Sequence, residues 1–227
     1  MSAQLCNLET GEVRPISNEI MVRCWGNDLS EIGIINKINE NQEGFFDFSK
    51  NIVDVGAYIG VYTFLTNFCG GYMFEGNMGM LSYMYANKLL FNKWGVFIYH
   101  ALLSDVEECI EYDGYNCKPG DSPEFNTETS IAFTTTKMDT YPLDNIGLIK
   151  VDVEGMEERV LRGGVGTIIR NNYPPILFEC WNVGYYGMTQ EKHDRLFNFL
   201  KDLGYDIIEG WGDFQTHLAI NSKFYLR

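Results

Sequence analysis

From residue 50 onward, short apolar runs alternate with stretches of helical periodicity, and this alternation restricts the fold more than any other feature of the chain. "NIVDVGA" (51–57) reads as a strand, "VYTFLTNFCG" (61–70) as a helix closed by glycine, and "GYMFEG" (71–76) as a strand. "MLSYMYANKLLFNKW" (80–94) reads as a helix and "GVFIYHALLS" (95–104) as a strand. Later come the strand "LIKVDVEG" (148–155), a helix over 157–172 and the strand "PPILFEC" (174–180). "TQEKHDRLFNFLKDLG" (189–204) is a helix with Thr189 as cap and Gly204 as stop. Strands separated by helices run parallel in one sheet with helices on both faces, so the fold class is α/β. "YDIIEG" and "THLAINS" follow each other with no helix between them, which predicts an antiparallel finish.

Residues 1–49 read as an N-terminal leader, with "EVRPI" and "EIMVRCW" as short strands and "LSEIGIINKINENQ" as a helix capped by Ser30. Residues 50–227 form the main domain. Its segment 105–137, with "DGYN", "KPGDSP" and "FNTETS", reads as a hairpin or irregular insertion. A substrate lid, an oligomer contact and a decorated hairpin are all compatible with it.

Charge limits the partners. The 227 residues carry a formal charge of −14, against a nucleic-acid partner, whose phosphates need clustered Lys and Arg. No run approaches the apolar length of a membrane helix. The N-terminus lacks the basic and apolar regions of a secretory signal, so a cytoplasmic protein is expected. Six scattered cysteines then read as free thiols.

Two places hold chemistry. In "LIKVDVEG", Lys150, Asp152 and Glu154 alternate with apolar residues and so share one face of the expected strand. Unpaired charge inside a covered sheet is costly, so a central strand needs a reason to carry it. The other place is "VDVGAYIG" (53–60), between the first strand and the first helix. Gly56 permits a positive φ, Gly60 permits close packing as the helix begins, and Asp54 is an acceptor at the strand end. Glu75 follows Asp54 by 21 residues, the position at which nucleotide-binding βαβ units place an acid on ribose hydroxyls. Ala57 and Tyr58 stand where a dinucleotide fingerprint needs glycine, which points to a nucleoside ligand without phosphates.

"NIVDVGAYIGVYT", "YMFEG", "ALLSD", "TTTKMDTY", "LIKVDVEGMEERVLRGG" and "PPILFEC" occur in an ordered set. Over about residues 50–180, this set resembles the FkbM-family S-adenosylmethionine-dependent methyltransferases. The resemblance implies a Rossmann-like class I fold: a seven-stranded sheet in order 3-2-1-4-5-7-6 with strand 7 antiparallel. It implies S-adenosyl-L-methionine as cofactor, with Asp54, Gly56 and the following turn (Ala57, Tyr58, Gly60) at its methionine end. Glu75, with Gly76 and Asn77 behind it, would take the ribose hydroxyls. Ser104 and Asp105, closing the third strand, would flank the adenine. The family usually has proline after the acid; Gly76 here is expected to loosen that loop. The implied acceptor is a hydroxyl of a carbohydrate or small metabolite.

Such an acceptor needs its proton removed. Asp152 is the first candidate for base or orienting group, and it is also placed to accept from the cofactor's amine. Glu154 and Glu179, the acid ending "LFEC", come next, and Lys150 either pairs with Asp152 or acts as base. A divalent metal on these carboxylates with Asn182 is a less favoured arrangement. Trp181, Tyr185 and Tyr186 either stack on a sugar ring or cap the core. His100 reads as a packing residue, His193 as solvated, and His217 as near the pocket rim. A non-catalytic nucleoside-binding module and a nucleotide-dependent oxidoreductase are the competing functions.

Overall fold

The computed structural model describes residues 4–6, 13–15, 29–114, 117–118, 128 and 130–225. The strand expected at "EIMVRCW" lies outside these residues. Seven strands form the main sheet: β1 (Asn51–Val55), β2 (Gly70–Glu75), β3 (Val96–His100), β4 (Ile146–Val151), β5 (Ile176–Glu179), β6 (Asp206–Ile208) and β7 (Thr216–Ile220). Their order is β3-β2-β1-β4-β5-β7-β6, the expected one. β7 is antiparallel to both of its neighbours, and the other pairs are parallel. β1 and β4 are thus adjacent and central, and the chain winds outward from them in both directions. That is the switch point at which open α/β sheets bind ligands.

Both faces are covered. On one, α1 (Leu29–Glu40) and α2 (Val61–Leu65) pack on Ile52, Leu148, Leu177 and Leu218. On the other, α4 (Glu157–Arg162), α5 (Val165–Arg170) and α6 (Gln190–Asp202) bury Val53, Val55, Ile149, Val151 and Phe178. α3 (Met78–Leu90) closes the β2–β3 end, with Met84 against Met73 and Val96. A short α7 (Ser222–Tyr225) follows β7. Ile34, Ile35 and Ile38 of α1 are buried in the sheet's own core, each contributing about 1.5–3 kcal/mol of burial. The helix expected in a leader therefore belongs to the main body. It begins at Leu29, so Ser30 lies inside its first turn rather than at its cap. Gln4–Cys6 and Val13–Pro15 pair as an antiparallel hairpin. Among the described residues, no helix is long and apolar enough to cross a membrane.

Several expected boundaries move. α2 has five residues and stops well before Gly70, because Thr66 is extended and its hydroxyl donates to Tyr62 O at 2.6 Å. β3 ends at His100, so Ser104 and Asp105 fall in the following loop. The helix expected over 157–172 is two helices broken at Gly163–Gly164. A Cβ on Gly163 would stand 2.0 Å from Ser104 O, so the chain must bend away there, and Asp139 accepts from Gly166 and Thr167 N–H to start the second helix. The segment 105–137 holds a small antiparallel sheet of Cys109–Tyr112, Cys117–Lys118 and Ile131–Thr134. β4 ends at Val151, earlier than expected, and this shift decides the geometry of the acids that follow.

Candidate functional site

A cavity of about 290 Å³ lies at the carboxyl ends of β1, β2 and β4. The turn after β1 forms its base. Gly56 has φ 71°, and a Cβ there would stand 1.7 Å from Asp152 O, so only glycine lets this turn approach the end of β4. Gly56 and Ala57 N–H both donate to Phe74 O, at 3.0 and 3.1 Å. Tyr58, in a left-handed backbone with φ 52°, donates its N–H to Glu75 Oε2 at 2.8 Å. Asn77 N–H donates to Glu75 Oε1 at 2.6 Å, and the Asn77 side chain caps α3 by accepting from Gly79 N–H. Glu75 is thus fixed by backbone donors at the cavity wall. Burial raises its pKa, against the pull of the Asn77 and Tyr58 N–H groups.

Lys150 ties this turn to β4. Its Nζ donates to Gly56 O at 2.8 Å and stands 3.5 Å from both Asp54 Oδ1 and Asp152 Oδ2. Asp54 faces Lys150 directly across the β1–β4 ladder. Its other oxygen accepts from Thr63 Oγ1 at 2.9 Å. Burial works against the Lys150 charge, but Asp152 and Asp54 outweigh it, and the pKa lies above that of an ordinary lysine. Lys150 is therefore a fixed cation at neutral pH, which removes it as a candidate base. Its charge is tolerable in a central strand because two carboxylates and a carbonyl surround it.

The acids after β4 do not share the face expected of a continued strand. Asp152 is half-buried and lines the cavity, while Glu154 sits in a turn with φ 56° and is exposed. Glu157, absent from the sequence reading, is buried and accepts from Val153 and Gly155 N–H at 3.0 and 3.1 Å. Burial raises its pKa to about 7. Glu179 ends β5, and burial followed by the charges of Asp152 and Glu157 pushes it up to about 10. Its Oε2 is buried without a hydrogen-bond partner in the structure. Burial and the neighbouring carboxylates thus favour its neutral form. Among the described residues, no group of three or more His, Cys, Asp or Glu is arranged to hold a metal.

Other expected site residues stand outside the cavity. Asp54 is fully buried beside Lys150 and does not line the cavity. Gly60 has φ 87° and packs on Met73 and Phe64 at the start of α2. Gly76 is packed, not loose: a Cβ there would meet Leu102 Cδ2 at 2.3 Å. Ser104 is buried, and Asp105 is taken by Arg159 Nε at 2.8 Å, so neither lines the cavity. His100 Nε2 is 2.9 Å from Gly76 O, and His193 stacks on Phe197. His217, on β7, is buried beside β5 with Nε2 3.1 Å from Cys180 O, and burial lowers its pKa. The cavity also recruits Glu31 from α1, Tyr62 from α2, and Tyr112 and Gly114 from the inserted sheet. Nothing local marked these as site residues; they arrive from elements whose placement depends on the packed sheet.

The comparisons agree with this architecture. The family model described as "Methyltransferase FkbM domain" matches residues 54–207. The solved structure of methyltransferase FkbM from Methylobacillus flagellatus KT superposes with a TM-score of 0.56 at 16% identity, covering 89% of this chain and 57% of that one. This chain therefore spans just over half the length of that relative. A Staphylococcus aureus protein assigned as a caffeoyl-CoA O-methyltransferase superposes with a TM-score of 0.54 at 13% identity, covering 91% of this chain and 92% of that one. At such identities the likeness concerns the fold. No curated protein sequence matches the chain.

Proposed function

The chain belongs to the FkbM methyltransferase family, and on that premise we propose that it transfers a methyl group from S-adenosyl-L-methionine to a hydroxyl of a carbohydrate or small metabolite. The observation that carries the reading is that Asp152 lines the same cavity as the Gly56–Tyr58 turn and Glu75. The lining also fits the cofactor's chemistry. Four carboxyl groups, Glu31, Glu75, Asp152 and Glu154, face the cavity with one ammonium, Lys150, which its own partners already engage. That surface suits a cationic ligand and repels a pyrophosphate, which counts against a dinucleotide oxidoreductase.

In this reading Glu75 accepts from the ribose hydroxyls. Its two oxygens each take one backbone N–H and retain lone pairs for further donors. The Gly56–Tyr58 turn and Asn77 complete the cofactor side. The bound sulfonium supplies an electrophilic methyl group. The protein's part is to align the acceptor and take its proton. Asp152 does the second, as the carboxylate that both faces the cavity and is held in place by Lys150.

Two measurements test the proposal. Calorimetric titration with S-adenosylmethionine should show binding, and a panel of hydroxylated acceptors should yield a methyl ether by mass spectrometry. Asp152→Asn should lower turnover by roughly 10²–10⁴-fold with cofactor affinity nearly unchanged. Near-normal turnover would remove Asp152 as base. Tight cofactor binding without transfer to any acceptor would favour the non-catalytic module.

A further inference from the structure

A second cavity, of about 80 Å³, lies between the loop after β5 and the helices α4 and α6, and Glu154 lines both cavities. One wall is an aromatic pair, the rings of Trp181 and Tyr186, with centroids 4.1 Å apart. Met188 and Leu196 add apolar surface. The loop carrying the pair closes on itself. Tyr185 N–H donates to Asn182 O at 3.0 Å, Met188 N–H to Tyr185 O at 2.8 Å, and Gly184 N–H to Met188 O at 2.9 Å. Within it Tyr186 has φ 43°, and Glu154 has φ 56°. Left-handed backbone at such residues costs about 1 kcal/mol or more each, and this strain recurs on the lining of one cavity.

Charge decides what this surface accepts. Arg159 is engaged by Asp105 and Glu108, Arg195 by Glu158 and Glu191, and Lys192 Nζ donates to Gly187 O at 3.2 Å. An anionic ligand would therefore compete for cations already paired, beside Asp152, Glu154 and Glu158, in a chain of net charge −14. A neutral ring bearing hydroxyls meets no such opposition. Its C–H face suits the aromatic pair, and its hydroxyls suit the mixed rim of Glu154, Glu158, Arg159, Lys192 and Arg195. One buried polar atom of this wall, Trp181 Nε1, has no hydrogen-bond partner in the structure. A hydroxyl, which can accept, would serve it after a small shift of the wall.

We propose that this second cavity is the acceptor subsite, and that it takes an uncharged hydroxylated ring stacked on the Trp181–Tyr186 pair, with one hydroxyl reaching past Glu154 toward Asp152. The proposal rests on the O-methyltransferase reading for the fate of that hydroxyl, but its test is a binding measurement. The full chain, saturated with S-adenosylhomocysteine, is titrated by saturation-transfer NMR with methyl α-D-glucopyranoside, myo-inositol and methyl α-D-glucopyranosiduronate. The two neutral probes should bind in about the millimolar range, and the uronate about tenfold more weakly. Trp181→Ala and the more exposed Tyr186→Ala should each weaken neutral-probe binding by about fivefold or more, with S-adenosylhomocysteine affinity within about twofold of the parent. Equal binding of the uronate, no binding of either neutral probe, or an unchanged affinity in Tyr186→Ala would each overturn the subsite. Failure of the parent chain to bind S-adenosylhomocysteine is a separate readout and would strike the function proposed above.

Discussion

Acids stand at the carboxyl ends of both halves of the sheet, under opposite conditions. At β1 and β2 the backbone holds them. Glu75 receives two N–H groups, the glycine turn hangs from Phe74 O, and Asn87 Nδ2 supports Ile59 O from behind at 2.9 Å. At β4 and β5 the acids act on each other. Glu157 is raised to about 7 and Glu179 to about 10, and Glu179 Oε2 has no partner. One half is fixed by backbone donors. The other keeps carboxyl groups in unequal protonation states, the condition under which one can take a proton while its neighbour donates a hydrogen bond. Lys150 joins the halves, holding Gly56 O on one side and Asp152 on the other.

Breaking that joint should have the largest effect. Lys150→Met leaves Asp54 and Asp152 without their cation, and loss of one partner of a buried pair costs about 3–5 kcal/mol. The double variant Asp54→Asn/Lys150→Met removes both buried charges and should recover much of that stability in urea unfolding. No difference between single and double variants would mean that Lys150 is not held by Asp54.

A smaller effect sharpens the contrast through pH. Glu179 is raised from 4.5 to about 10 in the folded chain, so between those values the native state holds a proton that the unfolded state has released. Its stabilising contribution is fully present below about pH 4.5 and is lost as pH rises toward 10. Glu179→Gln should flatten the fall in stability between about pH 5 and 9. A parent chain as stable at pH 9 as at pH 5 would contradict the neutral carboxyl. The smallest effect belongs to the backbone-held half. Asn77→Ala removes the α3 cap and should cost about 1 kcal/mol in thermal unfolding, without altering the pH profile.

Much of the frame was legible in the chain. The alternation of strands and helices, the antiparallel finish, the Gly56 turn and the Thr189 cap follow from local periodicity and backbone preference, whereas the sheet order was implied by the family resemblance. The site was legible only in part. Glu75, Asp152 and Glu154 were found at the cavity, and Trp181 and Tyr186 at its neighbour. Asp54, expected at the cofactor's methionine end, is buried against Lys150. Asp105, expected beside the adenine, is bound to Arg159, which approaches from α4, 54 residues further along. Glu31 was missed because its helix looked separate from the domain it covers.

The sequence by itself determined which segments become strands and which of them end in acids, because those properties depend on side-chain period and on residues close in the chain. Only the tertiary structure decided which acids face the ligand space. β4 stops at Val151, so Asp152 and Glu154 leave the alternation that "LIKVDVEG" suggested, and Asp54 meets Lys150 across the ladder. Carboxyl protonation is decided the same way. It depends on burial and on charges brought close by packing, and these distances exist only once β1, β4 and β5 lie side by side.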